Sequence, residues 1–158
     1  MEFDPSQTAR WCRLQQMTPI DVHDLFKLRQ DVFVIEQTSL YQDIDGKDPD
    51  ALHLLVRDTA SGTLVGTVRV TEDSEAGKAR IGRVVIAPPA RGTGLGRKLM
   101  RAGIEKVEEI LPEGVIDLSA QAHLESFYRS LGFASVSDEY LEDGIPHVDM
   151  TRRCGAGN

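Results

Sequence analysis

Val84-Val85-Ile86-Ala87-Pro88-Pro89-Ala90-Arg91-Gly92-Thr93-Gly94-Leu95-Gly96-Arg97 is the stretch whose reading decides the fold. A β-branched run stops at two prolines and three glycines follow at alternate positions. A helical pattern then opens with Leu95, Leu99, Val107 and Ile110. Glycines between a strand and a helix let the backbone turn tightly and aim several N–H groups at one anion. The helix start adds about half a positive charge at the same place. In physical terms this is a cradle for a pyrophosphate. A dinucleotide fingerprint requires G-x-G-x-x-G, and Gly92, Gly94 and Gly96 do not supply its third glycine. A P-loop requires Gly-Lys-Ser/Thr, and Gly96-Arg97-Lys98 does not supply that either.

Strands and helices alternate outward from this point. Residues 11–16 read as a first strand. Thr18 caps a helix with Pro19 at its first position and Asp21 completing a capping box. Val22, Leu25, Phe26, Val32 and Phe33 follow at helical spacing, and residues 36–50 form a polar, acidic loop. Residues 52–57 and 63–71 read as a hairpin across Thr59-Ala60-Ser61-Gly62, and 80–87 as the strand that leads into the cradle. A strand at 115–120 precedes a short helix carrying Leu124, Phe127, Tyr128 and Leu131, which Gly132 ends. Residues 133–136 and 147–151 read as closing strands, and 152–158 as a frayed tail. The expected fold is α/β (α+β): a mixed, mostly antiparallel central sheet of six to seven strands flanked by about four helices.

The 158 residues make one domain the expectation, spanning 1–158. The 18 basic and 25 acidic residues leave a net charge of −7, which argues against a general nucleic-acid binder. No apolar run approaches the roughly 20 residues that span a bilayer, and the first ten residues lack an apolar signal core. A cytoplasmic protein is the expectation, with no membrane and no nucleic-acid partner. Cys12 and Cys154 build no disulfide framework and no Cys/His cluster points to a metal.

Arg91, Gly94 and Gly96 fit Arg/Gln-x-x-Gly-x-Gly/Ala, which resembles the acyl-coenzyme A motif of the GNAT family of N-acetyltransferases. A second stretch, Phe127-Tyr128-x-x-x-Gly132-Phe133, resembles that family's downstream signature, in the right order and about 30 residues on. Tyr41-Gln42-Asp43-Ile44-Asp45-Gly46, Ile81-Gly82-Arg83-Val84, Ala120-Gln121-Ala122-His123-Leu124 and Glu142-Asp143-Gly144-Ile145-Pro146-His147 narrow the resemblance to its ElaA-like branch. Together these cover most of the chain from the first helix to His147. The fold implied is the GNAT acyl-coenzyme A acyltransferase fold. The activity implied is transfer of acetyl from acetyl-CoA, as acyl donor, to a primary amine of a small molecule or peptide. A degenerate domain that only binds acyl-CoA, as a sensor or partner module, is the alternative, and a longer acyl donor stays open. So do the acceptor's identity and the oligomeric state, monomer or homodimer.

Charge agrees with this. Residues 91–106 carry net +4 beside the cradle, whereas 36–50 carry net −4 and 138–149 hold five acids without lysine or arginine. Acidic segments suit a cationic amine acceptor by steering its approach.

Such a transfer must remove a proton from an ammonium whose reference pKa is near 10.4, stabilise charge on the carbonyl oxygen, and help a thiolate leave. The resemblance places Tyr128 near the sulfur as acid or thiol-positioning donor. It gives residues around Val84, Val85 and Ile86 backbone N–H contacts to the acyl chain. Arg91, Gly92, Thr93, Gly94, Leu95, Gly96 and Arg97 become the pyrophosphate loop. The glutamate that histone-modifying relatives carry on the preceding strand is missing, and His123 stands where many relatives have asparagine. Base candidates are Glu36 and His147 first, then Asp43, Asp45 and His53, or a water chain to one of the acids. His147 follows a turn, and a histidine's ordinary pKa near 6.5 suits the task. His53, in an apolar strand, is equally readable as structural.

Overall fold

The computed structural model describes residues 2–155. One eight-stranded sheet runs in the order β1 (Gln7–Arg13), β2 (Leu52–Asp58), β3 (Leu64–Asp73), β4 (Lys78–Ile86), β5 (Val115–Gln121), β8 (Ile145–Arg153) and β6 (Ala134–Ser135). A further short strand, β7 (Tyr140–Glu142), pairs with β8. Every pairing is antiparallel except β4 with β5. Helix α1 (Pro19–Arg29) covers one face, and α2 (Leu95–Ile110) the other. The third helix, α3 (Glu125–Arg129), follows β5. Among the described residues, no helix is long and apolar enough to cross a membrane.

Helix α2 buries Leu95, Leu99, Met100, Ile104 and Val107 on Val68, Val70, Ile81 and Ile116. Its close approach depends on glycines. A Cβ at Gly66 would come within 3.1 Å of Leu95, one at Gly96 within 3.1 Å of Ile86, and one at Gly103 within 3.2 Å of Ile81. On the other face Leu25, Leu28 and Val32 pack on Leu55, Leu64 and Val85. The expected capping box opens α1: the Asp21 N–H donates to the Thr18 hydroxyl, and the Thr18 N–H to the Asp21 carboxylate, each at 3.1 Å.

Several boundaries differ from expectation. The first strand is 7–13 rather than 11–16. It is an edge strand on which only Cys12 is buried, so its pattern shows little alternation. The helical stretch does end at Glu36 as expected, but α1 stops at Arg29 and its last part, Gln30–Glu36, is a π-helical turn. The segment read as a turn before His147 is the tip of a β7–β8 hairpin, with Asp143 and Gly144 both at positive φ. The expected tail begins too early. Strand β8 runs through Arg153, and Arg152 is buried, donating to the Leu131 carbonyl and the Glu108 carboxylate. Residues 156–158 lie outside the described residues.

Candidate functional site

Strands β4 and β5 are paired only from Lys78↔Val115 to Arg80↔Asp117, and then part. A bulge in β4 bends it there: Arg83 and Val84 together face the single residue Val68 of β3. Arg83 sits at φ +50, a conformation that costs a non-glycine residue about 1–2 kcal/mol. Ion pairs hold it: its guanidinium lies 2.9 Å from Asp43 and 3.3 Å from Asp45.

Those two aspartates belong to a buried cluster. Arg29, fully buried, donates to Asp43 at 2.9 Å and to Asp48 at 2.6 Å. Arg69 clasps Asp45 with two bonds of 2.9 Å and reaches Asp48 at 3.2 Å. Tyr41 donates to Asp43 at 3.1 Å. Burial opposes ionisation of Asp45, but the Arg69 bonds outweigh it and hold its carboxyl well below the usual range. Asp48 is likewise held low by Arg29 and Arg69 against the cost of burial. The acidic loop is therefore tied to the sheet by arginines. With Glu36 paired to Arg91, four of its five acids are neutralised, and the expected steering of a cation by this loop is corrected.

Between the parted strands lies a cavity of about 460 Å³. Val84 and Gly82 of β4, Leu118, Ser119 and Gln121 of β5, Tyr128 of α3 and His147 of β8 all line it. The 37–47 loop and the hairpin tip flank its mouth, where the Ser39 hydroxyl approaches the Asp143 carbonyl at 3.5 Å. Tyr128 packs edge-on between Phe127 and Phe133. Burial pushes its phenol above the ordinary value, so it keeps its proton at neutral pH. The His147 Nδ1 lies 2.7 Å from the Ile145 carbonyl, which can only accept, so Nδ1 carries a hydrogen and Nε2 is the nitrogen turned to other partners. Glu142 lies 3.4 Å from Nε2.

At the start of α2, Gly92 and Gly94 adopt φ +77 and +82. Among the described residues, no backbone carbonyl takes the N–H groups of residues 92–97. Thr93 instead bonds back to the Ala90 carbonyl at 2.6 Å, which closes the turn. Arg97 stacks over Phe127 and bonds Ser130, which places its charge between loop and α3. The donor set, free N–H groups at a helix start beside cationic side chains, fits a pyrophosphate.

The structure thus brings Tyr128, His147, Val84 and Asp45 to one cavity, whose lining does not include Glu36, Asp43 or His53. Glu36 is held by Arg91 through two bonds of 2.5 and 2.7 Å, its carboxyl lowered by them, and it lines a different groove beside Ala87 and Pro88. Asp45 reaches the cavity but is saturated by arginine. His53 is buried against the Asp48 carbonyl at 3.1 Å, and burial lowers its pKa. His123 is exposed and not among the cavity's lining residues. Sequence reasoning missed Ser119, a lining residue whose hydroxyl joins Tyr140 and Asp149 in a chain of 2.5 Å bonds. The pairing of β5 with β8 sets Ser119 opposite Asp149, and the pairing of β7 with β8 brings in Tyr140.

A model of the acetyltransferase (GNAT) domain matches residues 4–154. The chain is 42% identical over 131 residues to a UPF0039 protein of Schizosaccharomyces pombe, covering 82% of this chain and 86% of that one. It is 37% identical over 138 residues to protein ElaA of Escherichia coli, covering 87% and 90%. The crystal structure of an acyl-CoA N-acyltransferase from Pseudomonas aeruginosa superposes with a TM-score of 0.87, at 37% identity over 93% of this chain and 99% of the other. That of Escherichia coli ElaA gives 0.86, at 36% identity over 92% and 99%.

Proposed function

The chain belongs to the GNAT acetyltransferase family, in its ElaA-like branch, and on that premise we propose that it is an N-acetyltransferase that moves acetyl from acetyl-CoA to a primary amine of a small or peptidyl acceptor. The observation that carries this reading is the continuity of two features. A loop with unspent N–H groups stands at one end of β4, and a cavity holding a protonated phenol and the His147 imidazole opens beside it. Acetyl-CoA supplies the thioester when bound. Residues 91–97 hold the pyrophosphate, mainly through main-chain N–H groups, with Arg91 exchanging Glu36 for phosphate. Backbone N–H groups around Val84, Val85 and Ile86 receive the acyl chain where the strands part.

In the reaction His147 Nε2 takes the proton of the attacking amine, and Glu142 steadies the imidazolium. Tyr128 gives or shares its proton with the departing sulfur. A general base and a general acid each contribute typically 10²–10⁴-fold. The test is release of free thiol from acetyl-CoA across polyamines, amino acids, aminoglycosides and basic peptides. Amine-dependent release supports the reading. Tight binding without release for any amine would make this a sensor domain.

A further inference from the structure

The charged groups around the cleft divide into a balanced set and a remainder. Arg29, Arg69 and Arg83 answer Asp43, Asp45 and Asp48, so that wall carries no net charge. Lys47 and Arg80 also line the cavity, yet their side chains have no hydrogen-bond or ion-pair partner among the described residues. They stand at one end. Arg80 is the last β4 residue paired with β5, at the floor of the cleft, and lies directly across from Thr71 of β3. Lys47 is two residues from Asp45, which Arg69 holds, and Arg69 shares a strand face with Thr71. At the other end the hairpin tip offers Glu142 and Asp143 beside His147, and the Asp143 carboxylate likewise has no partner among the described residues. The cleft is dipolar, cationic at its floor and anionic at the hairpin.

We infer that the acceptor is an amine bearing its own anionic group: an amino-acid-type molecule whose reacting ω-amine is joined to a carboxylate by a short flexible chain. This rests on the N-acetyltransferase reading above. The ammonium docks by Glu142 and Asp143 and loses its proton to His147, while Arg80 and Lys47 hold the carboxylate. A purely cationic amine satisfies only the hairpin end and meets two like charges, on the exposed side chains of Arg80 and Lys47, at the other. The spacing agrees. Arg80 faces Thr71 and the Arg83–Val84 bulge faces Val68, three β3 residues on, about 10 Å of strand at roughly 3.3 Å per residue, a span on the scale of an extended ω-amino acid.

The experiment compares L-lysine with cadaverine, which differ by the carboxylate alone, in thiol release from acetyl-CoA. The expected kcat/KM for lysine exceeds that for cadaverine at least tenfold, as one charge-assisted contact implies. Arg80→Gln and Lys47→Gln each raise the lysine KM and move the lysine-to-cadaverine ratio toward one. A ratio of one or below in the wild-type protein overturns the inference. So does an Arg80→Gln variant that keeps the wild-type ratio, or acetylation of neither amine. The N-acetyltransferase reading is judged separately, by thiol release across the wider panel of polyamines, aminoglycosides and basic peptides, so the two failures are distinguishable.

Discussion

The 41–48 loop and the 91–97 loop are both rich in polar groups, and they use them in opposite ways. In the first, Asp43, Asp45 and Asp48 are consumed by Arg29, Arg69 and Arg83, and Tyr41 closes over them. In the second, glycines hold six consecutive N–H groups away from any carbonyl among the described residues. Polar groups that satisfy one another specify a conformation. Polar groups left unpaired at a helix start specify a ligand. A motif of aspartates therefore served the fold, whereas a motif nearly devoid of functional side chains is the one we propose as the binding site.

The largest effect expected from breaking this contrast lies in the closed loop. Arg29→Met removes the fully buried cation and leaves Asp43 only Arg83 and Asp48 only Arg69; breaking a buried pair costs about 3–5 kcal/mol, and the low end is expected here. Urea unfolding of the variant measures it, and a loss under about 1 kcal/mol would mean that the cluster is not holding the loop. Next in size is Tyr128→Phe, which keeps the ring against Phe127 and Phe133 and removes one hydroxyl. A thiol with a pKa near 8.5 is already a fair leaving group. The expected fall in kcat is therefore at the low end, about 10–100-fold, with acetyl-CoA affinity little changed. A wild-type rate would return Tyr128 to packing alone.

The smallest effect is a pH dependence that separates the loops. Asp45 and Asp48 titrate lower in the folded chain than in the unfolded one. The unfolded state therefore binds protons first as pH falls, and stability declines. It is retained above about pH 5 and lost progressively below about pH 4, as pH approaches the folded values. Asp45→Asn should flatten that decline in urea midpoints, and Gly94→Val should leave its slope alone. An unchanged slope in Asp45→Asn would contradict the assignment.

Much of this molecule is legible in its sequence, because the signals are local. The capping box at Thr18, the apolar stripe of α2, the 52–71 hairpin and the glycines of the cradle each depend on neighbours in the chain. What escapes depends on distant partners. Arg152 reads as a tail residue because nothing local shows that Glu108 and the Leu131 carbonyl await it. Glu36 reads as a base because its partner Arg91 is 55 residues away. The bulge at Arg83 is set by aspartates on another loop, and the Ser119–Tyr140–Asp149 chain by the pairing of β8 with both β5 and β7. His147 reads as a base candidate, and the structure sets it on the cavity, but the hydrogen on its Nδ1 follows from the Ile145 carbonyl, a feature of the hairpin alone.

The central claim, that residues 91–97 hold acetyl-CoA through their open backbone, is tested most directly by thermal unfolding with and without acetyl-CoA in wild-type protein and Gly94→Val. A Cβ at Gly94 would meet no protein atom within 4 Å, so the fold loses only the cost of its φ of +82, about 1–2 kcal/mol. The branched side chain instead obstructs the ligand's approach to the N–H groups. The account predicts about 2.7 kcal/mol of stabilisation for the wild type at a hundredfold excess over Kd, and none for a folded Gly94→Val. Equal stabilisation of both proteins, or no shift of the wild type at millimolar acetyl-CoA, would contradict it.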